Sequence, residues 1–242
     1  MIEFKKTTFY DEEVNKQLAN IIKNKSFANG YIFYGAEGIG KKKAAIEFVK
    51  GIFKQYSSSN DIEKKIASKN HPDFLIIEPS SIFQDKNLKD SDYENIKKGS
   101  TDIIKIAQIR HIKTFLGQKS IDSEKKIVLI INAHLLNESA SNCLLKTLEE
   151  PSNGIFILLT SKLNLLLDTI ISRCQIIRFK TSSSKQIEQN LKEYIDPSKI
   201  EIYRKLGFQD LINTANGSPG QLLKFIEIWN ELSNEITSKL DT

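Results

Sequence analysis

Gly35-Ala36-Glu37-Gly38-Ile39-Gly40-Lys41-Lys42 satisfies G-x-x-x-x-G-K but lacks the Ser or Thr that completes a working phosphate loop. Gly35, Gly38 and Gly40 let backbone amides turn toward a phosphate. The helix start beyond them supplies partial positive charge, and Lys41 has the reach for β- and γ-phosphates. The missing hydroxyl is the one that would ligate Mg²⁺. Lys42 puts a cation in its place and Glu37 puts an anion inside the loop, so both oppose a metal-bound polyphosphate. Two readings of residues 35–41 follow: a nucleotide site of reduced competence, or a strand–turn–helix joint that holds no ligand.

A second group able to do chemistry is Ser172-Arg173-Cys174. The arginines of the chain are Arg110, Arg173, Arg178 and Arg204, against a much larger number of lysines. Arg173 stands just before a β-type run. A guanidinium there is always charged and can bond phosphate oxygens through two parallel N–H groups. The plainer alternative is a solvated arginine at a strand start, paired to a surface carboxylate. Cys143 and Cys174 form no C-x-x-C pair, and His71, His111 and His134 are scattered, so no metal site is expected. Cys174 reads as a small packing residue and Ser172 as a turn former.

The elements that must position these groups follow from periodicity. Tyr31–Tyr34, Phe74–Ile77, Ile127–Ile131, Ile155–Thr160 and Gln175–Phe179 are β-type apolar runs. Helical spacing marks residues 11–25 (Val14, Leu18, Ile21, Ile22), Lys41–Phe53, the set Ile103, Ile106, Ile109 and Ile112, the segment carrying Leu144, Leu145 and Leu148, and Leu163–Ile171. The Leu144 segment must stop before Pro151. Strand and helix alternate, which is the grammar of an α/β domain with a parallel sheet. Ser57–Asn60 and residues 79–101 read as polar loops. After a hinge-like Thr181–Ser184, Ile187, Leu191, Ile200, Tyr203, Leu206, Leu222, Leu223, Phe225, Ile226 and Trp229 predict helices without strands. The expected domains are therefore 1–181, α/β, and 182–242, a small all-helical lid.

Composition sets outer bounds. The chain has 242 residues, 40% apolar, with a net charge of +5 from 35 basic and 30 acidic side chains. That permits contact with nucleic acid without requiring it, because the lysines are interleaved with acids. No apolar run approaches the ~20 residues that span a bilayer. The start MIEFKKTTFYDEE lacks an apolar core, so no secretory signal is expected and the cytoplasm is the default location.

The run Leu144-Leu145-Lys146-Thr147-Leu148-Glu149-Glu150-Pro151, followed about twenty residues later by Ser172-Arg173-Cys174, resembles the clamp-loader branch of the AAA+ ATPases. Within that branch the pattern is most similar to the delta-prime family of bacterial DNA polymerase III subunits, over roughly residues 10–228. The resemblance implies an AAA+ type parallel-sheet domain followed by a helical lid. It further implies that Arg173 projects into a neighbouring subunit's ATP site as an arginine finger.

Active relatives carry two acids after the Ile127–Ile131 strand, one for Mg²⁺ and one to activate water. Here Asn132 and Ala133 occupy those places, and Ala133 cannot take a proton. Such relatives often carry a basic residue after a lid motif of GSPG type, where this chain has Gln221. Three losses together imply that the chain does not hydrolyse ATP itself; the alternative is an active ATPase subunit of tau/gamma type.

Thr160 stands where relatives sense the γ-phosphate, or else merely bonds at a strand end. Lys146 and Glu149, with Ser172 and Cys174, are candidate intersubunit residues; Lys146 and Glu149 read equally well as an exposed helix end. Many delta-prime relatives carry a four-cysteine zinc module before their His-Pro-Asp segment. The corresponding residues 53–70 here hold no cysteine, so no zinc is expected and a helical insertion takes its place. The implied partners are tau/gamma and delta clamp-loader subunits, with the sliding clamp and primed DNA reached through the complex, and no membrane. Polymerase chemistry would belong to another subunit of that holoenzyme. The collar domain of the family is expected to be missing or reduced to residues 226–242.

Overall fold

The computed structural model describes residues 12–56, 61–79, 102–149 and 154–181, together with residues 210, 214, 215, 217–222 and 224–228. The expected loops at Ser57–Asn60 and 80–101, the stop at Pro151, the Thr181–Ser184 hinge beyond its first residue, most of the lid positions and residues 229–242 lie outside this set.

Helix α1 (Glu12–Asn24) precedes strand β1 (Gly30–Tyr34), then α2 (Lys41–Tyr56), α3 (Ile62–Ala67) and β2 (Phe74–Ile77). Helix α4 (Ile106–Gly117) leads to β3 (Lys126–Ile130), a 3-10 turn at Ala133–Leu135, and α5 (Glu138–Glu149). Strand β4 (Gly154–Thr160), a 3-10 turn at Leu163–Leu165, helix α6 (Asp168–Ile171) and β5 (Gln175–Arg178) complete the α/β part. Residues 219–222 and 224–228 are helical. The five strands pair in the order β2-β3-β4-β1-β5, and every pairing is parallel.

The sheet is buried on both faces, as parallel sheets must be. Alternation along each strand assigns residues to the two layers. Tyr31, Phe33, Ile127, Leu129, Ile155, Ile157 and Ile177 pack with Val14, Leu18 and Ile22 of α1 and the apolar stripe of α2. Ile32, Val128, Ile130, Phe156 and Leu158 pack with Ile109, Ile112, Leu144, Leu148 and Ile170 from α4, α5 and α6. All seven residues of β4 and all five of β3 are buried.

Several expected boundaries shift for identifiable reasons. Strand β3 begins at Lys126, whose stem is buried while Nζ donates to the Phe115 carbonyl at 2.6 Å and lies 4.5 Å from the Phe115 ring centre. Leu163–Ile171 is not one helix. Leu166 and Leu167 adopt extended backbone with ψ of 148° and 137°, which splits the segment into a 3-10 turn and a short helix. The helix expected from Ile103 starts only at Ile106, because Ile104 instead bridges to Leu136. Gln108 secures that start: its Oε1 accepts from the Lys105 N–H at 2.9 Å, and its Nε2 donates to the Glu78 carbonyl at 2.7 Å.

Sequence alone assigns no role to Asp73. Its buried carboxylate accepts the backbone N–H groups of Ile121, Asp122 and Ser123 and so holds the turn before β3.

Candidate functional site

The phosphate-loop sequence leaves the carboxyl end of β1 and enters α2. Gly35 N–H donates to the Thr160 carbonyl at 3.3 Å, joining the loop to the end of β4. Gly38 and Gly40 have φ of 75° and 101°, a backbone region that side chains with a Cβ resist. Gly35, Gly38, Gly40, Lys41 and Thr160 thus gather at the carboxyl end of the inner strands β1 and β4.

The loop's cations are committed to partners of the chain's own. Lys41 Nζ donates to the Gly35 carbonyl at 2.7 Å and the Ala36 carbonyl at 2.6 Å. Burial pushes this ammonium down to about 8, with the Glu37 carboxylate partly opposing. Lys42 Nζ lies 3.1 Å from Glu78 Oε1 at the end of β2, and Lys69 Nζ takes Glu78 Oε2 at the same distance. The first turn of α2 contains no acid, so its lysines oppose the helix dipole. Glu78, itself buried, answers part of that charge.

Residues 217–221 sit against the loop. Ser218 Oγ donates to the Glu37 carbonyl at 2.6 Å, and Gly220 N–H donates to the Gly38 carbonyl at 3.0 Å. The approach is so close that a Cβ on Gly38 would lie 2.6 Å from Ser218 Oγ and 2.9 Å from the Gln221 nitrogen. A Cβ on Gly220 would lie 2.6 Å from the Gly38 oxygen.

Asn132 and Ala133 do not fit a Mg²⁺–polyphosphate. Asn132 is exposed and left-handed, with φ 54° and ψ 49°, and Ala133 is buried. His134, to which the sequence gives no role, lies 3.2 Å from Thr160 Oγ1 through Nδ1, and the same oxygen accepts the Lys162 N–H at 3.1 Å. Thr160 therefore closes the turn after β4. Burial, with the nearby charges of Lys162 and Lys41, pushes His134 below its ordinary value, while Glu37 opposes.

The Ser172-Arg173-Cys174 turn lies at the other end of the sheet. The Arg173 carbonyl and Cys174 Sγ both abut Gly30, the first residue of β1, whereas the phosphate loop follows the last. β1 has five residues, so the two ends are about 13 Å apart at the strand rise.

Arg173 Nη1 donates to the Thr169 carbonyl at 3.0 Å, and Nη2 lies 2.5 Å from Glu149 Oε1. Its side chain is 39% exposed and that of Glu149 52%. Ser172 Oγ donates to the Thr169 carbonyl at 3.1 Å. Cys174 is half-buried, and burial pushes its thiol up to about 11, away from reactivity. Lys146 is exposed on α5, one turn before Glu149. The arrangement brings Glu149, Ser172, Arg173 and Cys174 into one neighbourhood, well separated from the loop glycines.

Comparison with known proteins places this geometry in context. The chain is 32% identical over 198 residues to DNA polymerase III subunit delta' of Bacillus subtilis, a match covering 79% of this chain and 54% of that one. It is 31% identical to DNA polymerase III subunit gamma/tau of Mycoplasma genitalium, over 95% of this chain and 35% of the relative. The chain thus spans about half or less of the length of these curated relatives.

Among solved structures, the RuvB Holliday junction branch migration motor of Thermotoga maritima aligns with a TM-score of 0.52 at 14% identity, covering 95% of this chain and 65% of that one. At that identity the likeness speaks for the fold alone, an α/β domain built on a parallel sheet. The family profile described as "DNA polymerase III, delta subunit" matches residues 10–183. On that match and the relatives beside it, the chain belongs to the DNA polymerase III delta-subunit family and, within it, to the delta-prime type.

Proposed function

We propose that this chain is a clamp-loader subunit that does not turn over ATP itself and instead supplies Arg173 to the ATP site of a neighbouring subunit. The observation that carries the reading is the separation of the two sites. Arg173 stands at the amino end of β1 and β5 and the phosphate loop at the carboxyl end of β1, farther apart than an arginine side chain spans. Arg173 therefore cannot serve a phosphate bound at its own loop, while its partly exposed guanidinium is open to another molecule.

The loop itself supports a non-hydrolytic role. Lys41 is bonded to loop carbonyls, Lys42 is paired with Glu78, and Ser218 and Gly220 pack on the backbone a phosphate would approach. Asn132 and Ala133 offer neither a strong metal ligand nor a base. These features weigh against nucleotide binding and against the alternative reading, an active ATPase of tau/gamma type. The partners of this role are tau/gamma and delta subunits, and through them the sliding clamp and primed DNA. In the neighbour's site Arg173 would offer a pair of parallel N–H groups to γ-phosphate oxygens and offset charge that develops there.

The test is steady-state ATP turnover in a mixture of this chain with tau/gamma, delta, clamp and primed DNA, comparing wild type with Arg173→Ala. The expected result is a silent isolated chain, an active mixture and a loss of about 10³-fold at the affected site. Hydrolysis by the isolated chain would overturn the non-catalytic reading. A mixture indifferent to Arg173 would overturn the trans role and leave a scaffold.

A further inference from the structure

We propose that Glu149 is the positioning residue for Arg173. This rests on the trans role of Arg173 and adds how the guanidinium is aimed.

Both partners hang from anchored backbone. Glu149 follows Leu144, Thr147 and Leu148, all buried on α5, and Thr147 Oγ1 bonds back to the Cys143 carbonyl at 3.2 Å. Arg173 follows α6, whose Ile170 is fully buried, and its own N–H donates to the Ile170 carbonyl at 3.2 Å. The two residues are 24 positions apart, so tertiary packing rather than local sequence brings them together.

Among the described residues the guanidinium meets two acceptors: the Thr169 carbonyl at Nη1 and the Glu149 carboxylate at Nη2. Each contact uses one N–H of a terminal nitrogen. A guanidinium carries five such donors in a rigid plane. Two fixed contacts on separate nitrogens define the orientation of that plane, and the remaining donors serve a phosphate from outside.

The pair does little for folding. With both side chains substantially exposed, an ion pair of this kind contributes little to stability. Its effect falls instead on how many orientations a long, flexible side chain samples before meeting a phosphate. Glu149 belongs to the same Leu144–Pro151 run that accompanies Ser172-Arg173-Cys174 in the sequence, and the structure gives that co-occurrence a physical form.

The experiment is a double-mutant cycle in the reconstituted assembly, using Arg173→Ala, Glu149→Ala, Glu149→Gln and the Arg173→Ala/Glu149→Ala pair. It reads kcat and KM for ATP of the partner subunit. Glu149→Ala should lower kcat by about tenfold or more, the scale of a misplaced catalytic group, with KM within about twofold. Glu149→Gln, which keeps an acceptor oxygen, should recover most of the loss. In the Arg173→Ala background, Glu149→Ala should cost nothing further, because the residue acts through Arg173.

Nitrogen-detected NMR of the free chain gives a second readout. The Arg173 guanidinium should show restricted rotation that Glu149→Ala releases. The proposal falls if Glu149→Ala leaves kcat unchanged or raises it, or if its effect persists without Arg173. In those cases a strong effect of Arg173→Ala would leave the trans role standing. A silent Arg173→Ala would remove both.

Discussion

The two ends of strand β1 carry opposite kinds of cationic site. At the carboxyl end, Lys41 and Lys42 are satisfied within the chain, and residues 217–221 press backbone to backbone on the loop. At the amino end, Arg173 keeps a partly exposed guanidinium held by only two acceptors among the described residues. The difference teaches where a site is built to receive something from outside. A motif matching a ligand-binding pattern can be closed by its own fold, whereas an arginine with donors to spare is open. Position on the sheet then decides that the open group cannot assist the closed one.

The largest expected effect sharpens the amino end. Arg173→Lys keeps the charge and loses the planar fork, so turnover in the reconstituted assembly should still fall about 10²- to 10³-fold. Near-complete activity of that variant would mean that charge alone matters.

At the carboxyl end, Gly38→Ala should destabilise the chain by about 2 kcal/mol, since it places a Cβ at positive φ and against Ser218 and Gln221. Denaturant unfolding measures the loss. Amide exchange should rise at residues 35–41 and 217–221 together; a rise confined to one segment would break the picture of mutual packing. Ser218→Ala removes one bond to the Glu37 carbonyl and should cost about 1 kcal/mol.

Lys41 provides a pH test. Its folded value is lowered by burial to about 8, against 10.5 ordinarily. Below about 8 the ammonium is charged in folded and unfolded chain alike, and the cost of burying it is fully present. Between 8 and 10.5 the unfolded chain holds a proton the folded chain has lost, so stability rises with pH across that window. NMR titration of the Lys41 side chain should give a midpoint near 8; a midpoint near the ordinary value would show a loop open to water.

The smallest effect is the stability of Arg173→Ala, which should change by no more than about 0.5 kcal/mol because the Glu149 pair is exposed. A much larger loss would turn the arginine end into a structural site and erase the contrast.

Much of this was legible in the chain as written. The alternating apolar runs located all five strands within a residue or so, because a sheet buried on both faces leaves continuous Ile, Leu, Val and Phe. The glycines of residues 35–41 and the two motifs around Glu149 and Arg173 were visible because their spacing is local. Contacts between remote segments were not. Lys42 with Glu78, Ser218 with Glu37 and Arg173 with Glu149 are separated by 36, 181 and 24 positions, and no period in the sequence links them. His134 lacked any signal until Thr160 was seen beside it. Leu163–Ile171 misled because leucines at helical spacing fit equally well on two short turns joined by extended residues.

The bond from Ser218 to Glu37 also bears on how the molecule is made. Synthesis runs from the amino terminus, so the segment 35–41 leaves the ribosome long before residues 217–221 exist. Until then the Glu37 and Gly38 carbonyls lack their partners at Ser218 and Gly220, although the five described strands of the sheet are all available once residue 178 has emerged. Nascent chains halted before residue 217 should thus expose this loop to proteases and solvent, and chains from which residues 217–221 have emerged should protect it. That contact is a timing mark: it reports that residues 217–221 have left the ribosome.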